Sequence, residues 1–311
     1  MASKDFVKRR EPTTIRSRTM EDRKLPLFPT RRLDYRDVKQ QLILGCALPA
    51  AIAAKAHVCE KQVRLGIKDQ PGALGSNPVE VKSWFDGETE RSRFSADRLV
   101  RVEFFEFSQR LSPLLYFDGL GHPRFAFSDD GAGWVSYIEK AYAMVRGNHV
   151  YENLDALDAL NPDRSRKPQD PPSVQRIMID LMGPIDFADM STTGKEWLFQ
   201  DIADPAVGGV DKPLTRTLLK NMLKRADRYA TVATTPSRNA TADRLGLVTF
   251  HTYAVISFKD DTVKLYNALA SIGAREPEIT FDDFWKTFDG VYQARRHSAC
   301  GRNRGRARRD R

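Results

Sequence analysis

The stretch that decides the fold is Leu245–Ala268, LGLVTFHTYAVISFKDDTVKLYNA. Leu245 to Phe258 is rich in β-branched and aromatic residues, Lys259-Asp260-Asp261 reads as a turn, and Thr262 to Ala268 reads as a returning strand. The pair predicts a β-hairpin. With the turn centred on Asp260, residue 251 lies opposite residue 269. Asn267 is then the diagonal neighbour of His251 on the same face, within reach of a side-chain hydrogen bond. A slip of one residue would place the two on opposite faces.

Outward from the hairpin, the chain divides into a helical half and a β-rich half. Leu42 to about His57 reads as an Ala-rich helix, interrupted only by Gly45 and Pro49. Residues 62–82 hold several Gly and Pro and read as loops, and β-forming runs follow between Val100 and Phe127. Trp134, Ile138, Ala141, Tyr142 and Val145 recur at helical spacing, so Trp134 to Val145 is predicted as a helix. Residues 161–172 carry four prolines and read as a loop. Helices are predicted over Val174–Met182 and Leu214–Tyr229. Thr280-Phe281-Asp282-Asp283 has the form of a capping box that opens a last helix through Phe288. Helices first and strands later predict an α+β chain with two lobes, a helical one over 38–190 and a β-rich one over 191–292.

The chain has 311 residues, 41% hydrophobic and 29% charged, a soluble globular composition. Its longest apolar run, Leu42–Ala54, is too short to span a bilayer, and the first residues, MASKDFVKRREPTT, lack the apolar core of a signal peptide. The formal charge of +9 sits at the ends. Residues 1–37 hold eleven Lys/Arg against six Asp/Glu, and 295–311 hold eight Arg against one Asp. These ends read as a solvated basic arm (1–37) and an Arg-rich tail (293–311) able to contact polyanions. Cys46, Cys59 and Cys300 are an odd, sparse set with no CxxC, which argues against a disulfide framework or a zinc site and for a reducing, cytoplasmic or otherwise intracellular setting.

Cys46 opens the Ala-rich helix. Free N–H groups and the positive end of the helix dipole favour a thiolate there. A cysteine at a helix start, followed by a histidine and then an asparagine on paired strands, is the order of a thiol protease of the papain type. Several segments resemble the calpain family. GCALPAAIAAKA (45–56) resembles its nucleophile helix, QGxLGDCWxLAALAALA. GWVSYIEKAYAMVRGNHVYENL (133–154) is similar to LWVxLLEKAYAKLxGSYxxL. FHTYAVISF (250–258) resembles GHAYSV, VKLYNALA (263–270) resembles VRLRNPWG, and EITFDDFWKTF (278–288) resembles SFEDFLKYF.

The resemblance runs in family order from about residue 38 to 292, and is nearest to the bacterial calpain-like proteins. It implies a papain-like two-lobed fold and a cysteine endopeptidase acting on protein or peptide substrates. Cys46 would be nucleophile, His251 base and Asn267 the residue that orients the base. Gln40, by ungapped spacing, or Gln41, with a one-residue gap, would supply the oxyanion donor. It implies calcium as a possible cofactor, although no EF-hand or acidic calcium loop matches. The chain departs from the family where Gly45-Cys46-Ala47 replaces Asp-Cys-Trp and where Ala268-Leu269 replaces the Pro-Trp after the asparagine. Trp285 or another aromatic would then cover the Asn–His pair. Acyl transfer or deamidation on the same fold, and a non-catalytic binding module, are the rival readings. The motif Leu25-Pro26-Leu27-Phe28-Pro29 suggests an arm lying in the cleft.

Overall fold

The computed structural model describes residues 12, 20–21, 23–41, 45–71, 79–82, 89–92, 98–118, 120–149, 151–154, 172–190, 197–201, 212–269, 273 and 275–295. The Pro-rich stretch 161–171, most of the arm before residue 23, residues 42–44, Cys300 and the Arg-rich segment from 296 lie outside them.

The chain is α+β. Its main sheet has eight strands, all antiparallel, in the spatial order Lys212–Pro213, Trp197–Asp201, Ile185–Met190, Gly290–Ala294, Thr231–Thr234, Thr252–Lys259, Thr262–Tyr266 and Glu278–Thr280. Successive side chains of a strand point to opposite faces, and here both faces are buried. Val232, Ala254, Ile256, Tyr266 and Ala294 join one apolar core, and Ala233, Tyr253, Val255, Leu265 and Val291 join the other.

The first face is covered by helix α1 (Ala47–Gly66), which packs across the Thr252–Lys259 strand, and by α3 (Val174–Met182). Ala50, Ala51, Ala53, Ala54 and Ala56 of α1 are all buried. A helix surrounded on most sides needs short side chains to approach its neighbours, which is why this stretch is Ala-rich. The second face is covered by α4 (Arg216–Leu223), α5 (Ala240–Arg244) and α6 (Phe281–Thr287), through residues such as Leu219, Met222, Ala242, Phe281 and Phe284.

Helix α2 (Trp134–Val145) and α3 begin and end where the sequence predicts. The buried Asp180 of α3 ties them together. It accepts from Tyr142 Oη at 2.9 Å and from both Nε and Nη2 of Arg146 at 2.8 Å, and pairs with Arg176 at 2.8 Å. Such an ion is tolerated inside only because every oxygen is answered. Ser173 caps α3, and Thr280 caps α6 through Asp283 N–H at 3.1 Å, as the capping signature predicts.

Elsewhere the structure corrects the sequence reading. Helix α1 breaks at Cys59, where φ is −134° and ψ is 38°, close to the expected end at His57, and helical turns then resume to Gly66. Residues expected as loops form strands at Ile67–Pro71 and Val79–Lys82. The helix expected over 214–229 stops at Leu223, and turns carry the chain to the next strand. The strand expected from Leu245 begins only at Thr252, and its partner ends at Tyr266. His251 and Asn267 therefore flank the hairpin strands and do not lie within them. The last turns of the N-terminal arm are packed, not extended in solvent. Leu25, Leu27 and Phe28 lie against the main core, and Pro26 O accepts Gly133 N–H at 2.8 Å. Cys59 is disulfide-bonded, which the sequence reading of three sparse cysteines did not expect. Among the described residues no helix is long and apolar enough to cross a membrane.

Candidate functional site

The geometry of the hairpin explains how His251 and Asn267 meet. Asp260 and Asp261 both adopt positive φ, 49° and 60°, making a two-residue turn of the kind whose twist suits a hairpin. Lys259 therefore pairs with Thr262, Phe258 with Val263 and Ser257 with Lys264. That ladder, continued, would set His251 opposite residue 270 and turn it away from Asn267. A β-bulge between Val255 and Ser257 absorbs Ile256 and shifts the register by one, so that Val255 faces Leu265 and Ala254 faces Tyr266. Continued from there, residue 251 falls opposite 269, as expected, but through two compensating features that the sequence reading did not contain. The bulge is held from outside. Ile256 is buried in the main core, and its carbonyl accepts a hydrogen bond from His57 Nε2 at 3.0 Å. His57 belongs to α1, three turns beyond Cys46.

His251 is 5% exposed and Asn267 is fully buried. His251 Nε2 lies 2.8 Å from Asn267 Oδ1. The same oxygen accepts Leu269 N–H at 2.9 Å, which fixes the amide orientation and makes Nε2 the donor. The proton of a neutral ring therefore sits on Nε2, leaving the lone pair on Nδ1. Burial pushes the imidazole down to about 4 against the opposing pull of Asn267, so the ring is neutral near pH 7. Its backbone is clamped on both sides: His251 N–H donates to Thr235 Oγ1 at 3.1 Å, and His251 O accepts Thr235 N–H at 2.9 Å. The preceding Phe250 holds φ at 50°, a left-handed conformation costly for a bulky residue, with its N–H bound to Pro236 O at 2.9 Å. The aromatic ring against His251 is Tyr253, edge-on at 4.9 Å. Trp285, the expected cover, packs instead on Phe281 and under Arg216.

Cys46 is a free thiol at the N-cap of α1, and its carbonyl accepts Ala50 N–H at 3.1 Å. The Cys46 side chain makes no capping hydrogen bond at this end, and Pro49 contributes no N–H. Cys46 Sγ lies 3.6 Å from Thr252 Oγ1, and Thr252 follows His251 in the chain. Gly45, Cys46, Ala47, His251 and Thr252 line one cavity of about 480 Å³. Its lining also includes Leu154, Pro172, Val174, Ile177, the stretch Thr234–Ser237, Phe250 and Asp289.

Gln40 is buried, with its N–H on Ala268 O at 2.9 Å and its backbone paired in parallel with Leu269. This places it beside the segment that follows Asn267. Neither Gln40 nor the half-buried Gln41 is among the residues lining the cavity. The arm motif at 25–29 does not line it either. Thr252, Thr235 and Asp289 escaped sequence reasoning, since a hydroxyl or a carboxylate in a β-rich run carries no periodic signal. Among the described residues no three His, Cys, Asp or Glu side chains converge as a metal site.

No protein-family model matches the chain, and no curated protein matches it.

Proposed function

We propose that the chain is a cysteine endopeptidase of the calpain-like, papain-fold kind, with Cys46, His251 and Asn267 as its triad. The observation that supports this reading is the 2.8 Å contact from His251 Nε2 to Asn267 Oδ1, with His251 lining the same cavity as the Cys46 thiol at the start of α1. A third group that accepts from one imidazole nitrogen leaves the other as the base.

In this mechanism the Nδ1 lone pair of neutral His251 takes the thiol proton as Cys46 Sγ attacks a peptide carbonyl. The tetrahedral oxyanion is stabilised by amides at the start of α1, the Cys46 N–H first among them. His251 then gives its proton to the leaving amine, the C–N bond breaks, and a thioester remains. Water, deprotonated by His251, attacks the thioester, releases the acid and returns the proton to sulfur. Asn267 carries no charge, so it fixes the ring's tautomer and orientation and adds no charge of its own. Gln40 or Gln41 serves as a second oxyanion donor if substrate binding draws its amide to the cavity.

The test is incubation of the full chain with a peptide library and analysis by mass spectrometry, beside Cys46→Ala. New peptide termini that vanish in the variant support the reading. Ammonia release from intact peptides would identify a deamidase, and unchanged peptides a binding module.

A further inference from the structure

The cavity contains a group that the triad chemistry does not use. Asp289 is the one carboxylate among its described lining residues, and none of them is a lysine or arginine. It is held by design of the neighbouring strands. Thr234 Oγ1 donates to Asp289 Oδ1 at 2.7 Å, and Asp289 N–H donates to Thr234 O at 2.9 Å. Gly290 makes this possible, because a Cβ there would come within 2.5 Å of the Thr234 hydroxyl. Among the described residues no cation lies within ion-pair distance of Asp289. Burial pushes its carboxyl above the usual range, against the pull of the Thr234 hydroxyl, so the charge is only partly solvated and partly answered.

We propose that Asp289 is a recognition subsite for a basic side chain, arginine or lysine, of a peptide lying in the cavity. The inference rests on the peptidase reading for the rest of the peptide's role. Thr252, beside the Cys46 sulfur, pairs with Thr234, and Thr234 pairs with Gly290. Thr252 and Thr234 lie one strand spacing of roughly 4.8 Å apart, and the 3.6 Å contact at Cys46 and the 2.7 Å bond at Asp289 extend the span from thiol to carboxylate to about 11 Å at full stretch. An extended peptide advances about 3.3 Å per residue, so the basic residue sits about three positions from the scissile bond. Phe250, half exposed at the mouth, and Pro236 offer apolar surface for the stem of a long cationic side chain.

The experiment uses a set of labelled hexapeptides in which one arginine steps through the positions, with citrulline counterparts of the same shape and no charge. Binding is measured by fluorescence anisotropy on the full-length Cys46→Ala protein, with and without Asp289→Asn, an isostere that keeps the Thr234 bond. A charge-assisted hydrogen bond predicts that, in one register, the arginine peptide binds roughly ten- to a hundredfold tighter than its citrulline twin. That difference disappears in Asp289→Asn. Equal binding of arginine and citrulline peptides in every register, or a difference that survives Asp289→Asn, overturns the proposal. Cleavage of the same peptides by the protein with Cys46 intact judges the peptidase reading separately. Discrimination without cleavage leaves the subsite standing and the protease reading refuted.

Discussion

Protonation of His251 should undermine the fold itself, and the size of the effect follows from its burial. The ring's pKa is about 4 when folded, against 6.5 for the unperturbed group. Because the folded value is depressed, the unfolded chain takes up the proton first as pH falls. The stability linked to a neutral, buried ring is present in full above about pH 6.5 and is lost as pH falls through about 4. The full gap of about 2.5 pK units corresponds to roughly 3.4 kcal/mol, of which about 2.5 kcal/mol is gone at about pH 4.5. His251→Gln removes the titration and keeps an N–H for Asn267. Urea unfolding of both proteins at about pH 7.5 and 4.5 isolates the difference, since every other titrating group is common to both. Wild type should lose about 2.5 kcal/mol more than His251→Gln over that interval. Parallel pH dependence would show that His251 is solvated and freely charged, and the tautomer argument would fall with it.

Asn267→Ala strips the acceptor from two buried N–H groups, those of His251 and Leu269. It should cost about 2–4 kcal/mol in urea unfolding and lower kcat on a cleaved peptide by about 10²- to 10⁴-fold, and an unchanged kcat would remove Asn267 from the triad. His57→Leu orphans the Ile256 carbonyl, so it should destabilise by about 1–3 kcal/mol and lower kcat/KM, with partial rescue by His57→Gln. Full activity in His57→Leu would mean that the bulge needs no support from α1. Asp180→Ala removes the buried carboxylate that Arg146 and Arg176 share between α2 and α3, leaving Arg176, among the described residues, only its 3.6 Å pair with Glu106, and should cost about 3–5 kcal/mol, measured by the urea midpoint. A loss below about 1 kcal/mol would show the cluster to be solvated.

What was legible in the sequence is what local rules govern. Helices α2 and α3 were readable because their apolar spacing is regular, and Thr280 because a cap is a local device. A turn around Asp260 was readable for the same reason, though its two-residue form, with Lys259 already paired to Thr262, was not. The register was not, since the bulge at Ile256 depends on a core position and on His57, nearly two hundred residues away. Helix α1 breaks at Cys59, near its predicted end, and helical turns resume to Gly66. The cavity walls at Leu154, Pro172 and Asp289 come from three distant segments, and only the folded sheet brings them to Cys46 and His251. The ring against His251 comes from Tyr253, two residues further along the chain, while Trp285 packs on Phe281 and under Arg216.

The most direct trial of the triad is the rate at which iodoacetamide alkylates Cys46, followed by peptide mapping from about pH 4 to 9 in wild type and His251→Ala. A sulfur served by a neighbouring imidazole should react well below the usual thiol pKa of about 8.5, and that advantage should vanish in the variant. Identical rates and identical pH profiles in the two proteins would contradict the account, whatever peptides the chain is found to bind.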